Sequence, residues 1–313
     1  MRYFMGIMFL LLSVSGCNSA DKGNTAATAS GRIDYLNNFP SLLVQARNVE
    51  IWLPRQYFAN PQQRFPVLYM HDGQNLFNTS TSTLNVAWEV DDTAQQLIDS
   101  GKIRPVIIVG IWSTDKRLQE YFPVKAADYF TKADKDLFVG QNPRHGNANN
   151  NENFADKYLQ FLVEELKPRI DAAYRTLPDK DNTFISGSSM GGLISMYAMA
   201  EYPKVFGKAA CVSTHWPILT NNDNMSPSEG IRKYMINHFP AAGDHQIYFD
   251  FGTETLDQYY EVHQTKVDAI MRAKGYVENR DWVTRKFPGA AHSEVFWQKR
   301  VDIVLEFLLK KQE

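Results

Sequence analysis

The chain has 313 residues, of which 44% are hydrophobic, and its formal net charge at neutral pH is −2. This length and composition are sufficient for a sizeable core in one large domain. A nearly balanced charge without a block of lysine and arginine is unlike the basic surface of a nucleic-acid-binding protein, so we expect no nucleic-acid partner.

The amino terminus has the pattern of an export signal. Arg2 precedes an apolar run, residues 3–14, which is too short to span a membrane durably. The sequence Val14-Ser15-Gly16-Cys17 resembles the lipobox of bacterial lipoproteins, in which the cysteine is diacylated. Residues 1–17 are therefore expected to be a lipoprotein signal with lipidation at Cys17, and the mature protein to be anchored at the periplasmic face or in the outer membrane. Signal cleavage without lipid is the alternative.

Residues 18–31 are rich in Ala, Ser, Thr, Asn and Gly, which predicts a flexible tether to a domain of residues 32–313. In that domain strand-like and helical segments alternate. This alternation favours an α/β fold with a mostly parallel, doubly wound sheet and helices on both faces. Strands are predicted at 49–53, 67–71, 106–111, 183–186, 208–212, 246–251 and 282–287, and helices at 87–100, 154–173, 193–202, 228–237, 257–274 and 294–310.

One long segment lacks periodicity. Residues 115–140 are aromatic and charged, and residues 141–153 are dominated by Asn and Gly. We interpret residues 115–153 as a lid-like insertion over the carboxyl ends of the strands, where binding loops of such folds lie.

A Gly-x-Ser-x-Gly pattern stands between the predicted strand 183–186 and the predicted helix 193–202. It reads Gly187-Ser188-Ser189-Met190-Gly191. In this strand–turn–helix context the pattern is typical of a nucleophile elbow, a turn so sharp that its flanking residues must be small. Ser189 is the predicted nucleophile, because Ser188 has Ser186 rather than a glycine two places before it.

A serine hydroxyl needs a base, and in this type of site an acid and then a histidine follow the serine along the chain. Among the seven histidines, His292 alone lies in a loop after the last predicted strand and before the last predicted helix. The acid is expected after the strand 246–251, where Glu254 and Asp257 are both candidates. We favour Asp257, whose rival role is to cap the following helix.

The transition state of ester hydrolysis also needs hydrogen-bond donors for its oxyanion. One predicted donor is the backbone N–H of Met190, directly after the nucleophile. The other is expected in the loop after the strand 67–71, where Gly73 permits a close backbone approach and Gln74 is the natural donor.

Other chemistries are not indicated. The sequence has no His-Glu-x-x-His motif, no cysteine cluster and no glycine-rich nucleotide loop, so we expect neither a metal nor a cofactor. The one cysteine besides Cys17 is Cys211, which lies in an apolar run and is predicted to be a buried small hydrophobe.

Together these motifs resemble the esterase D, or putative esterase, family of α/β-hydrolases, which includes feruloyl and acetyl-xylan esterases and trilactone siderophore esterases. The resemblance implies an α/β-hydrolase fold, with Ser189 as nucleophile, His292 as base, and Gln74 and Met190 as oxyanion donors. The family's acid usually stands three places after the strand-end glycine, here Thr255, so Glu254 and Asp257 stay open. The motifs lie at 71–77, at Trp88 with Asp91, at 187–192, at 252–254 and at 289–297.

Four residues are candidates for substrate contact. The segment that contains Arg117 and Tyr121 resembles a family feature near the substrate, and its alternative is a structural salt bridge with a packed tyrosine. Trp216 is a candidate pocket wall or a core residue, and Trp88 belongs to the family motif.

These observations predict a serine carboxylesterase that works through an acyl-enzyme, with acyl groups on carbohydrates as the favoured substrate. A siderophore trilactone is the first alternative. The second is a non-catalytic binding lipoprotein on a decayed hydrolase fold.

Overall fold

The computed structural model describes residues 24–141, 154–218 and 226–310. Its strands are β1 Thr25–Thr28, β2 Gly31–Phe39, β3 Arg47–Pro54, β4 Val67–His71, β5 Ile107–Ile111, β6 Thr183–Ser188, β7 Lys208–Val212, β8 Gln246–Glu254 and β9 Trp282–Ala291. They form one sheet in the order β1-β2-β3-β5-β4-β6-β7-β8-β9. All neighbours from β5 to β9 in this order pair in parallel, whereas β1, β2 and β3 add an antiparallel edge.

Helices connect the strands. They are α1 Arg55–Ala59, α2 Val90–Asp99, α3 Arg117–Tyr121, α4 Lys132–Gln141, α5 Phe154–Gln160, α6 Lys167–Ala173, α7 Met190–Glu201, α8 Ser226–His238, α9 Glu261–Ala273, α10 Glu294–Gln298 and α11 Val301–Leu309. A π-helical stretch, Phe161–Leu166, joins α5 to α6. The predicted terminal helix 294–310 is thus divided into α10 and α11.

The sheet is covered on both faces. Neighbouring side chains of a strand point to opposite faces, so one strand contributes to two separate cores. In β4, Val67 and Tyr69 belong to a core shared with α5 to α9, whereas Leu68 and Met70 belong to a second core shared with α2 and α11. Both cores consist of fully buried aliphatic and aromatic side chains. The predicted doubly wound, mostly parallel sheet is confirmed.

The start of the domain differs from the prediction. Residues 25–28, assigned to a flexible tether, form β1, which pairs with β2 from Thr25 opposite Asp34 to Thr28 opposite Gly31. The tether prediction is therefore wrong for residues 24–31, because backbone pairing along a sheet edge needs no hydrophobic pattern in the added strand. The predicted signal 1–17, with Cys17, lies outside the described residues. No helix within the described ranges is both long and apolar enough to cross a membrane.

The first part of the predicted insertion packs against the rest of the domain. Tyr121 of α3 is fully buried, and a 3₁₀ segment, Val124–Tyr129, leads from it to Phe130. The Phe130 ring fills the space that a side chain at Gly230 of α8 would occupy. Residues 117–130 are thus an integral layer of the fold, and residues 142–153 lie outside the described ranges.

Candidate active site

The turn between β6 and α7 has the geometry of a nucleophile elbow. Ser189 has φ 58° and ψ −119°, a conformation that a non-glycine residue adopts only under tertiary constraint. A Cβ added at Gly187 would lie 2.9 Å from the carbonyl carbon of Gly191, so this position excludes any side chain. Ser189 is the residue before the first turn of the twelve-residue helix α7, and its backbone N–H donates to the carbonyl of Val212 at 2.9 Å.

The carboxylate that pairs with the predicted base belongs to Asp257. His292 Nδ1 lies 2.5 Å from Asp257 Oδ1. Asp257 Oδ2 accepts two further hydrogen bonds, from the Gly252 N–H at 2.6 Å and from the Ser213 hydroxyl at 2.6 Å. Burial acts to raise the pKa of Asp257, but the hydrogen bond to His292 and the other donors outweigh it, so the pKa is lowered. The buried carboxyl group is held as an anion.

The other candidate acid lies elsewhere. Glu254, the last residue of β8, is exposed to solvent. Asp257 lies in a 3₁₀ helix, Thr255–Tyr259, and does not cap α9. The same turn holds the histidine loop, because the backbone N–H of His292 donates to Thr255 Oγ1 at 2.9 Å. The choice that the sequence left open is thus decided by geometry in favour of Asp257 as the partner of His292.

A second layer of polar contacts fixes the direction of the Ser213 hydroxyl. Its oxygen accepts hydrogen bonds from Trp297 Nε1 at 3.0 Å and from the Arg300 guanidinium at 2.7 Å. A hydroxyl has two lone pairs and one hydrogen, so the hydrogen points to Asp257. Arg300 in turn pairs with the buried Asp250 at 2.9 Å. Ser213, Trp297 and Arg300 were not predicted to support the site; among them, only Trp297 lies within one of the family motifs, residues 289–297.

The elbow and the acid–histidine pair lie at the same edge of the sheet. Ser188 of β6 is opposite Val212, the last residue of β7, and the residue that follows this strand, Ser213, donates to Asp257. At the far side, Glu254 of β8 pairs with Ala291 of β9, directly before His292. The serine, the carboxylate and the imidazole therefore all follow the carboxyl ends of parallel neighbouring strands, where ligands of such folds bind.

The turn after β4, residues 72–75, packs closely against the backbone of β5. Asp72 has φ 56°, in the left-handed region, and a Cβ added at Gly73 would lie 2.5 Å from the carbonyl carbon of Gly110. The Gln74 side chain is engaged with Ser113: its amide donates to Oγ at 2.8 Å, and its carbonyl accepts from the backbone N–H at 3.1 Å. The Gln74 side chain is thus held by Ser113, and the role of Gln74 as an oxyanion donor stays a prediction.

Two of the predicted substrate contacts form a packed unit with Asp72. Arg117 makes a bidentate ion pair with the Asp72 carboxylate, with both distances 2.7 Å. The guanidinium also lies 5.1 Å from the centroid of the buried Tyr121 ring. Burial favours a lower pKa for Arg117, but pairing with Asp72 more than compensates and raises it. Arg117 therefore has the salt-bridge role that was the alternative in the sequence analysis, and Tyr121 is its packed tyrosine.

The two predicted tryptophan contacts are buried. Trp216 packs against Phe249, and its indole N–H donates to Gln264 at 2.9 Å, so it is a core residue and not an exposed pocket wall. Trp88 lies 5.7 Å from Trp297, whose ring meets the His292 imidazole edge-on at 4.9 Å. Trp88 therefore packs against Trp297, and Trp297 in turn packs against His292.

No group of three or more His, Cys, Asp or Glu side chains suited to a metal ion occurs within residues 24–141, 154–218 and 226–310. Cys211 is buried, as predicted.

Comparison with known proteins assigns the chain to a family. The family model described as putative esterase matches residues 41–302, most of the chain and all the site residues described above. The chain belongs to the putative esterase family. This membership agrees with the resemblance drawn from the sequence motifs.

Individual relatives of this chain are distant. An endo-1,4-beta-xylanase/feruloyl esterase of Xylanibacter ruminicola is 23% identical over 90% of this chain and 32% of its own length. The ferri-bacillibactin esterase BesA of Bacillus subtilis is 26% identical over 63% of this chain and 66% of its own length. The structure of an IroE-like serine hydrolase from Shewanella oneidensis matches with a TM-score of 0.65 at 20% identity, covering 88% of this chain and 79% of that one. The structural likeness confirms the predicted α/β-hydrolase fold.

Proposed function

We propose that the protein is a serine carboxylesterase that acts through an acyl-enzyme, with Ser189, His292 and Asp257 as its catalytic triad. The observation that carries the proposal is the 2.5 Å contact between His292 Nδ1 and Asp257, at the sheet edge where Ser189 occupies the strained elbow. A carboxylate held as an anion keeps the proton on Nδ1, which leaves Nε2 as the base that a serine needs.

The reaction follows from these roles. The Ser189 hydroxyl attacks the ester carbonyl while His292 Nε2 accepts its proton. His292 then donates that proton to the leaving alcohol, which gives the acyl-enzyme. In the second half His292 takes a proton from water as the water attacks the acyl group; it then returns that proton to Ser189 Oγ as the acyl–serine bond breaks and the carboxylic acid leaves. Asp257 stays ionised and stabilises the imidazolium that forms in each half.

The oxyanion of each tetrahedral intermediate needs two donors. The first backbone N–H groups of a helix have no acceptor within that helix, and Met190 is the first residue of α7. Gln74 is the second residue of the 3₁₀ turn Gly73–Asn75, which follows the left-handed Asp72, so its backbone N–H likewise has no acceptor within that turn. Loss of one such donor typically costs about 3 kcal/mol of transition-state stabilisation.

For the substrate we propose neutral acyl groups on carbohydrates, feruloyl or acetyl, in keeping with the feruloyl esterase relative. The siderophore esterase relative favours a trilactone as the second candidate. An iron-loaded catecholate is strongly anionic and calls for free cations. Within the described part of the site the nearby cation, Arg117, is already neutralised by Asp72, and Glu294 adds a half-buried carboxyl group close to both. These charges favour the neutral acyl group.

A substrate panel tests the proposal. We expect hydrolysis of acetyl and feruloyl oligosaccharides and of simple aryl esters. Turnover of an iron-loaded trilactone should be at least about 10-fold lower in kcat/KM, because the anion would lie beside Glu294 while Arg117 is already paired with Asp72. A fluorophosphonate should also attach covalently, and peptide mapping should locate it on Ser189. Absence of both turnover and labelling would favour a non-catalytic binding lipoprotein instead.

We also propose that the esterase is exported and anchored to a membrane through lipid on Cys17. The sequence Val14-Ser15-Gly16-Cys17, after a short apolar run, supports this proposal. The mass of the mature amino-terminal peptide is the test. A diacylated cysteine is expected, and an unmodified amino terminus elsewhere in the first thirty or so residues would contradict it.

A further inference from the structure

Asp72 lies where three parts of the proposed site meet. It follows β4, it precedes the turn residues Gly73 and Gln74, and its carboxylate reaches Arg117 of α3. Its backbone N–H also lies 3.3 Å from the hydroxyl oxygen of Tyr121, which accepts its hydrogen bond. Asp72 is thus tied to α3 through both its side chain and its backbone.

The same carboxylate borders the helix that begins at the nucleophile. A Cβ added at Gly191 of α7 would lie 3.6 Å from Asp72 Oδ2 and 3.5 Å from the Cβ of His71. The turn after β4 therefore packs against the first turn of α7, two residues beyond Ser189. A movement of Asp72 would change the distance between the backbone N–H groups of Gln74 and Met190.

The backbone of this turn has an unfavourable conformation that the surrounding contacts hold in place. Asp72 has φ 56°, which costs free energy for any residue with a side chain, although Asp and Asn tolerate it best. Gly73 lies against the backbone of Gly110, where an added Cβ would be 2.5 Å from the Gly110 carbonyl carbon. Such a conformation persists only where surrounding contacts determine it. Here those contacts include the bidentate Arg117 pair, the Tyr121 hydroxyl and a hydrogen bond with the Ser113 side chain.

We propose that the Asp72–Arg117 ion pair positions the oxyanion turn, and that Arg117 and Asp72 are positioning residues that do not contact the substrate. This inference rests on the proposed esterase function. The pair holds the Gln74 N–H at the distance from the Met190 N–H that a tetrahedral oxyanion requires. Its contribution therefore appears when the oxyanion forms, and not when the ester binds.

The fold supplies a matched control on the same short helix. Glu120 of α3 also makes a bidentate ion pair, with Arg47 of β3 at 2.6 and 2.9 Å, and both side chains are buried. This second pair ties α3 to the sheet, but its two side chains hydrogen bond to neither Asp72 nor the turn 73–75. A loss of general packing around α3 should follow from either pair, whereas a loss of oxyanion geometry should follow only from the first.

The experiment compares Asp72→Asn, Arg117→Met and Glu120→Gln in the full chain with an acetyl ester. Asparagine keeps the left-handed preference of residue 72, but it removes the charge and replaces one of the two oxygens that accept from Arg117 with an NH₂ group. For Asp72→Asn and Arg117→Met we expect kcat to fall about 10- to 100-fold with KM within about twofold, since transition-state donors are displaced without loss of ground-state binding. Affinity for an arylboronic acid, which forms a tetrahedral adduct at the serine, should fall in parallel with kcat. Glu120→Gln should lower the melting temperature and leave kcat within about twofold.

Two results would overturn the inference. One is a wild-type kcat and boronate affinity in Asp72→Asn and Arg117→Met. The other is an equal fall in kcat for Glu120→Gln, which would show that the Asp72–Arg117 pair acts only through the general packing around α3. Fluorophosphonate labelling separates this failure from failure of the proposed function. If the wild-type protein is labelled at Ser189 and the Asp72 variant turns over normally, only the positioning role is lost; if the wild type is not labelled, the esterase proposal and this inference both fall.

Discussion

Ser189→Ala is expected to reduce kcat on an acetyl ester by about 10⁴-fold or more, with little change in KM, because a triad that acts as a unit loses nearly all its advantage with its nucleophile. The residual rate should come from the oxyanion donors and from substrate binding. The measurement is steady-state kinetics on purified protein, with circular dichroism and a melting curve to show that the fold persists. Since alanine differs from serine only by the hydroxyl oxygen, the strained elbow at φ 58° should be retained.

The adjacent serine provides the control. Ser188 is the last residue of β6 and is buried opposite Val212, so it shares the local backbone but not the apex of the turn. Ser188→Ala should retain kcat within a few-fold, since it removes a hydroxyl group that lies outside the proposed triad. If activity disappears with Ser188 and survives without Ser189, the assignment of the elbow is in error by one residue.

The elbow could be predicted from sequence because its physics is local. Gly187 is required two residues before Ser189, since a side chain at that position would collide with the backbone of Gly191. The same holds for the strands that carry the site. β4 and β7 begin and end at the predicted residues, because continuous apolar runs bounded by polar residues mark buried parallel strands.

The partners of the site residues could not be predicted, because they are set by tertiary contacts. Arg300 precedes α11 as an ordinary charged residue in sequence, yet it reaches Ser213 across the second core. Trp216 and Arg117 have the residue types of substrate ligands, and only the partners Gln264 and Asp72 reveal that their polar groups are already satisfied. The residue type determines which groups a side chain is able to bind. The packing of that side chain decides whether its polar groups remain free to contact a substrate.

The acid was likewise identified by its partners and not by its residue type, and its substitution is expected to have the second large effect on kcat. Asp257→Asn is expected to lower kcat about 10³- to 10⁴-fold, because the asparagine must turn its NH₂ group, and not its oxygen, toward the imidazole. Gly252 N–H and the Ser213 hydroxyl both donate to the Oδ2 position, so the amide oxygen has to occupy it. The NH₂ group then points at His292 Nδ1, which must accept, and the proton moves to Nε2, where no base remains for Ser189.

Glu254→Gln is the matched test of this assignment, since it makes the same chemical change at the exposed candidate three residues earlier. Its kcat should stay within about twofold of the wild type, as for most surface substitutions. Because Asp257 is buried, a melting curve must accompany the kinetics, and a folded Asp257→Asn protein with normal kcat would exclude the triad proposed here. A proton resonance of His292 Nδ1–H, shifted far downfield by a short hydrogen bond to a carboxylate, should be present in the wild type and in Glu254→Gln. It should be absent from Asp257→Asn, because that imidazole carries its proton on the other nitrogen.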